Sequence, residues 1–259
     1  MVRSLAQYHD LTSYHRDRMG GHFLDRQNQP SVYKTYPNAE TIQLPKDINL
    51  PEEYLSHLLK EPKPVKSPPA LCTDDVSRIL LLTYSLTAKA RHGSKEFYYR
   101  SVASAGALYP TEIYVATKAV SGLDDGLYHF NISSHGLTTL RKGDLTANDP
   151  PPSLAFFLSA IFFRSAWKYR DRSYRYHLLD TGHLIENLVL SLKALDLPSF
   201  LSYDFDDTKV NHLLGLDETK EVCLAICCVP GSGGLQEKET EELPNLPAAI
   251  KTASRTTVK

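Results

Sequence analysis

The stretch "LLDTGHLIENLVLSLKALDL", Leu178 to Leu197, limits the fold more than any other part of the chain. Leu184, Leu188, Leu192 and Leu195 recur at helical spacing, and Ile185 and Val189 widen the stripe. A face that broad needs apolar partners on several sides, and a subunit interface is one way to cover it. The partners are at hand. "EVCLAICCVP", Glu221 to Pro230, reads as a fully buried strand. "TEIYVATK", Thr111 to Lys118, alternates with Ile113 and Val115 on one face and reads as another.

Between them "GLDDGLYHFNISSHGLTTL" predicts an antiparallel meander with turns at Asp125-Gly126 and His135-Gly136. "TDDVSRILLLTYSLTA" predicts a helix with Thr73 as N-cap and Asp74 and Asp75 in its first turn. "KARHGSKEFYYR" reads as a loop. "LAFFLSAIFFRSAWKYR" is expected to end as a buried strand over Leu158 to Arg164, and residues 142–153 to form a loop or helix start. "DDTKVNHLLGLD" is a short helix closed by Gly215. This order of elements indicates an α+β fold and not a strict βαβ alternation.

Residues 1–69 read as a polar arm ending in a Pro-rich linker, 70–230 as the core domain, and 231–259 as a polar tail. The 259 residues carry a formal net charge of −1 with scattered Lys and Arg, which points away from nucleic acid. No run reaches the roughly 18 apolar residues of a membrane span. The polar N-terminus lacks a signal-peptide core, so a cytoplasmic location is expected. Cys72, Cys223, Cys227 and Cys228 form no C-x-x-C pair and are expected to be structural thiols. Phosphate-binding glycine motifs are missing, and His183 with Glu186 is too small a set for a metal.

Two stretches have the residue types for chemistry. In "RSVASAGALYP", Ser104, Ala105, Gly106 and Ala107 leave their backbone bare, and Gly106 can take conformations closed to other residues. Such a turn either links a helix to a strand or presents N–H groups to an anion or a flat ring. Arg100 precedes it with a fork suited to phosphate. In "RSAWKYRDRSYRYHLLD", Lys168 and Tyr169 follow an apolar segment. The stretch is either a solvated charged loop or the site of a base, because removing a lysine from water favours its neutral form.

Taken in order, "RSVASAGALYPTEIYV", "GLYHFN", "AWKYRDRSYRYHLLDTGHLIENLVLSLKALDL" and "FDDTKVNHLLGLD" resemble the SagB-type dehydrogenases, azoline oxidases of the nitroreductase superfamily. The resemblance implies a nitroreductase-like fold, an antiparallel sheet flanked by helices in an intertwined homodimer, with FMN at the dimer interface. It puts Ser104, Ala105, Gly106 and Ala107 against the flavin, with Arg100 near it and the backbone of Tyr203 and Asp204 opposite. It makes Lys168 and Tyr169 the pair for oxidising thiazoline or oxazoline rings in a ribosomally made peptide, alongside a cyclodehydratase. Reduction of nitro compounds with NAD(P)H, and a flavin-free scaffold of the same fold, are the competing roles. Where nitroreductases carry an Arg-rich phosphate grip, this chain has "KEPKPVKSPPAL", with Lys60, Lys63 and Lys66.

Overall fold

The computed structural model describes residues 4–17, 21–52, 54–59, 69–93, 95–143, 145 and 152–231. Lys60, Lys63, Lys66, most of the 142–153 segment and all but the first residue of the C-terminal tail lie outside the described residues. In chain order the elements are α1 (Leu5–Thr12), β1 (Thr41–Gln43), α2 (Leu55–Leu58), α3 (Thr73–Thr83), β2 (Leu86–His92), β3 (Lys95–Arg100), β4 (Thr111–Thr117), β5 (Gly126–Asn131), β6 (Gly136–Lys142), β7 (Pro152–Ile161), α4 (Phe162–Tyr169), α5 (Ser173–Ala194), β8 (Phe200–Ser202), α6 (Asp207–Leu214) and β9 (Glu221–Pro230).

Among the described residues, seven strands form one sheet in the order β1-β6-β5-β4-β7-β9-β8, antiparallel at every pairing. The central strands alternate between two apolar layers, as a pleated sheet covered on both faces requires. Ile113 and Val115, with Leu154, Phe156 and Leu158, face α3 and α5. Tyr114 and Ala116, with Ala155 and Phe157, face α6. A bulge in β9 opposite Leu158–Ser159 shifts the phase, so Cys223 joins the α6 layer while Ala225, Cys227 and Val229 join the other. Strand β9 is therefore alternately buried and half-buried, not buried throughout.

Helix α5 is central as its leucines require. Leu184, Leu188 and Leu192 are fully buried between α3 and the sheet. Its N-terminal turns leave Tyr174, Leu178 and Leu179 about half exposed. Helix α6 ends at Gly215 in the left-handed conformation (φ 68°), which glycine adopts without a Cβ clash.

Four expectations need correction. The N-cap of α3 is Cys72, one residue early: its N–H and thiol both donate to Asp75 Oδ2, while Thr73 Oγ1 donates to the Ser121 carbonyl. "KARHGSKEFYYR" is no loop, because β2 and β3 pair as a hairpin turning at Gly93 (φ 63°). The aromatic run Phe97-Tyr98-Tyr99 suits a strand. The run expected to be strand through Arg164 changes to helix at Phe162, whose N–H donates to the Lys220 carbonyl. A short apolar run does not fix its own period. The charged stretch after it is α4, a single 3-10 turn and the start of α5, not a loop.

Part of the first third of the chain is woven into the core. β1 extends the sheet edge along β6. Lys34 is buried, donating to Glu221 Oε2 and to Tyr114 Oη, both at 2.5 Å. The four cysteines are free.

Candidate active site

The turn Ser104–Ala107 lies between β3 and β4, and its backbone is unusual. Gly106, Ala107 and Tyr109 all have positive φ (64°, 53° and 47°). For Ala107 and Tyr109 this costs about 1–2 kcal/mol each, so the surroundings must hold the turn in place. Asp180 of α5 does so from one side: it accepts from Ser104 Oγ (2.6 Å) and from the Ala105 N–H (3.2 Å). Ser104 Oγ in turn accepts the Tyr109 N–H at 2.8 Å. Burial pushes the Asp180 carboxyl up, and these two hydrogen bonds only partly offset it.

Arg164 of α4 holds the turn from the other side. It is almost completely buried and donates to the Tyr109 carbonyl (2.9 Å), to the Ser31 carbonyl (2.9 Å) and to Glu112 Oε1 (2.5 Å). His129 Nε2 lies 2.7 Å from the other Glu112 oxygen. Burial alone would raise the Glu112 carboxyl; the Arg164 guanidinium and the His129 contact outweigh it and hold it at about 2.

Arg100 stands behind the turn. It is buried, its guanidinium packed against the rings of Tyr33, Tyr84 and Tyr109, and it donates to Tyr84 Oη and to the Val32 carbonyl (2.6 Å). Its N–H donates to Tyr109 Oη (3.2 Å), which ties it to the strained residue.

The two stretches singled out in the sequence meet. A Cβ on Gly106 would lie 2.6 Å from Tyr169 Oη and 2.8 Å from Lys168 Nζ. Gly106 is exposed, while Ser104, Ala105, Ala107, Lys168 and Tyr169 are half-buried. The lysine and phenol therefore converge on the one position of the turn that has no side chain. Burial raises the Tyr169 phenol, helped by Tyr176 and Asp180.

Tyr203 and Asp204 are elsewhere. Both are exposed and follow β8, three strands from β4, which at strand spacing is roughly 14 Å across the sheet. β8 runs toward the end of the sheet at which the turn lies.

Sequence reasoning missed Asp180, Arg164 and Tyr176. Arg164 had a signal: an arginine inside an apolar run needs a buried counter-charge. Asp180 lies two turns along a helix whose start was read as loop, so nothing linked it to Ser104.

The profile of the Nitroreductase family matches residues 50–232 of the 259. The chain belongs to the nitroreductase family. Its curated relatives include the Trifolitoxin-processing protein TfxB of Rhizobium leguminosarum bv. trifolii, 30% identical over 157 residues, which cover 53% of this chain and 42% of TfxB. The Microcin B17-processing protein McbC of Escherichia coli is 27% identical over 134 residues, covering 46% of this chain and 49% of McbC. The chain thus spans less than half the length of these two relatives. A solved structure of the McbBCD microcin synthetase complex with truncated pro-MccB17 bound has the same fold, with a TM-score of 0.54 at 21% identity over 78% of this chain and 80% of that one. A crystal structure from Anabaena variabilis, assigned as a nitroreductase, superposes with a TM-score of 0.71 at 29% identity over 97% of this chain and 54% of that one. Membership of the nitroreductase family agrees with the superfamily that its motifs implied.

Proposed function

We propose that the protein is an FMN-dependent dehydrogenase that oxidises thiazoline or oxazoline rings to the aromatic azoles in a ribosomally synthesised peptide. One observation carries the reading: Lys168 Nζ and Tyr169 Oη converge over Gly106, on a turn that otherwise offers only backbone and small side chains. Reduction of a nitro group or quinone has no need of a base at carbon, whereas ring aromatisation does. The processing relatives TfxB and McbC support a peptide substrate, and the McbBCD complex supports a cyclodehydratase as working partner.

The residues present suit a flat cofactor. Ser104, Ala105, Gly106 and Ala107 would carry it on backbone, since no side chain beyond Cβ or Oγ projects from the turn. Arg100, buried among three tyrosines, would support that floor from behind and not grip a phosphate at the surface. Tyr203 and Asp204 are proposed as the opposite wall. A second copy of the chain would close the site, with the exposed Leu178 and Leu179 offering apolar surface for it. Bound FMN would supply the hydride acceptor that aromatisation needs.

Lys168 takes the proton from the ring carbon. Tyr169 donates a hydrogen bond that orients the ring and keeps its carbon near Nζ. Asp180 and Arg164 hold the turn so that both side chains meet the substrate in one geometry.

The test is a pair of variants. Lys168→Ala and Tyr169→Phe should each abolish peptide oxidation by at least about a hundredfold while retaining the visible spectrum of bound flavin. Full activity in both would refute the assignment.

A further inference from the structure

The segment that carries Lys168 and Tyr169 is braced by the N-terminal arm. Tyr8 Oη donates to the Asp171 carbonyl at 2.8 Å. Arg172 donates to the Thr12 carbonyl, and Arg175 Nε to Thr12 Oγ1 at 2.9 Å. Trp167 Nε1 donates to the Asp25 carbonyl at 2.6 Å. The contacts converge on Tyr176. The Arg172 guanidinium stacks 3.9 Å from the Tyr14 ring centroid and donates through Nε to Tyr176 Oη at 3.1 Å. The Tyr14 and Tyr176 hydroxyls are 3.3 Å apart. The Tyr176 ring lies against the Tyr169 ring, centroids 4.5 Å apart and planes tilted by 51°.

We propose that Tyr176 is a positioning residue for Tyr169, and that the N-terminal arm sets it through Tyr14. The arm is then a working part of the active site. This rests on the reading of Lys168 and Tyr169 as the catalytic pair.

Tyr169 ends helix α4, where Arg170 turns the chain with positive φ (49°) and its N–H donates to the Ala166 carbonyl. Its ring has Gly106 beneath its hydroxyl, Tyr176 along its side and Lys168 Nζ 5.3 Å from its centroid. The second contact is anchored by residues about 160 positions distant in sequence. A shift of the arm at Tyr14 therefore moves the phenol relative to the turn.

The charged groups around the pair give this arrangement an electrical signature. Lys168, Tyr176 and Asp180 face Tyr169; Arg172, Arg175, Tyr14 and Tyr169 face Tyr176. Burial pushes the Tyr176 phenol up, but the hydrogen bonds from Tyr14 and Arg172 and the two arginine charges outweigh it and lower it overall. Tyr176 thus ionises before Tyr169, and its charge keeps the Tyr169 phenol protonated to higher pH.

The experiment is a pH titration of the full chain labelled with [13Cζ]tyrosine. The Tyr169 resonance is assigned by its loss in Tyr169→Phe, and the protein is compared with Tyr176→Phe and Tyr176→Ala. In Tyr176→Phe the Tyr169 midpoint should fall, and the alkaline limb of kcat should fall with it, while kcat at neutral pH stays within about twofold because the ring contact remains. Tyr176→Ala should lower kcat about tenfold or more with KM unchanged, since a small misplacement of a catalytic group is costly. Tyr14→Phe should raise the Tyr176 midpoint. An unmoved Tyr169 midpoint in Tyr176→Phe, or normal kcat in Tyr176→Ala, would overturn the proposal. Coupled Tyr169 and Tyr176 midpoints in a protein that oxidises no azoline would support the positioning role and count against the catalytic reading.

Discussion

Replacing Gly106 by alanine puts one methyl group where the account has the catalytic pair. The new Cβ would meet Tyr169 Oη at 2.6 Å and Lys168 Nζ at 2.8 Å. Restoring an ordinary contact of about 3.5 Å requires the phenol oxygen to retreat by roughly 0.9 Å and the lysine nitrogen by roughly 0.7 Å. The lysine has four rotatable bonds and moves freely; the tyrosine is packed on Tyr176 and does not. The fold itself should lose little. Alanine at φ 64° costs about 1–2 kcal/mol, which lowers Tm by roughly 2–8 °C in a chain of this size. Catalysis should lose far more, because displacing a reacting group by about 1 Å costs on the order of a hundredfold. The assay pairs thermal unfolding with single-turnover oxidation of an azoline peptide at saturating FMN. A folded Gly106→Ala protein with turnover within a factor of two of the parent would refute the argument that this position is kept bare for the lysine and phenol.

Arg164→Met should destabilise the protein by about 3–5 kcal/mol in denaturant titration, since it strands the Glu112 carboxylate in the core; a loss below about 1 kcal/mol would show that the pair is not what holds it. Glu112 also sets an acid limb: its folded value of about 2 lies below its ordinary 4.5, so its contribution is complete above about pH 4.5 and is lost as pH falls toward 2. In Glu112→Gln that part of the stability-versus-pH slope should flatten, and an unchanged slope would contradict the assignment. Burial pushes the thiols of Cys223 and Cys227 up to about 12 and that of Cys228 to about 11. At pH 8 Cys223 and Cys227 should resist a thiol reagent until the protein unfolds, and rapid labelling of either in the native state would contradict their burial.

Much of the sheet could be read from the sequence because its signals are local. Thr111–Thr117, Gly126–Asn131 and Gly136–Lys142 alternate or are bounded by turn residues, and α5 shows its stripe. Where tertiary partners decide, the reading failed. Phe162 and Phe163 could prolong β7 or begin a helix; a backbone bond to Lys220 and the buried pair Arg164–Glu112 choose the helix. The site was half legible. A bare turn and a Lys-Tyr pair stood out by composition, but their meeting at Gly106 depends on α4 folding back over the turn. Asp180 and Tyr14 gave no sign, because their roles exist through contacts across 76 and 162 residues of sequence.

The central claim is that this chain removes a proton and a hydride from an azoline ring. The direct measurement is an anaerobic titration of the FMN-loaded protein with a thiazoline-containing peptide, reading flavin absorbance and peptide mass together. The account predicts bleaching of one flavin per ring that loses two hydrogens, with neither change in Lys168→Ala. A protein that binds FMN but leaves the peptide mass unchanged, while it oxidises NAD(P)H with a nitro compound, would contradict it.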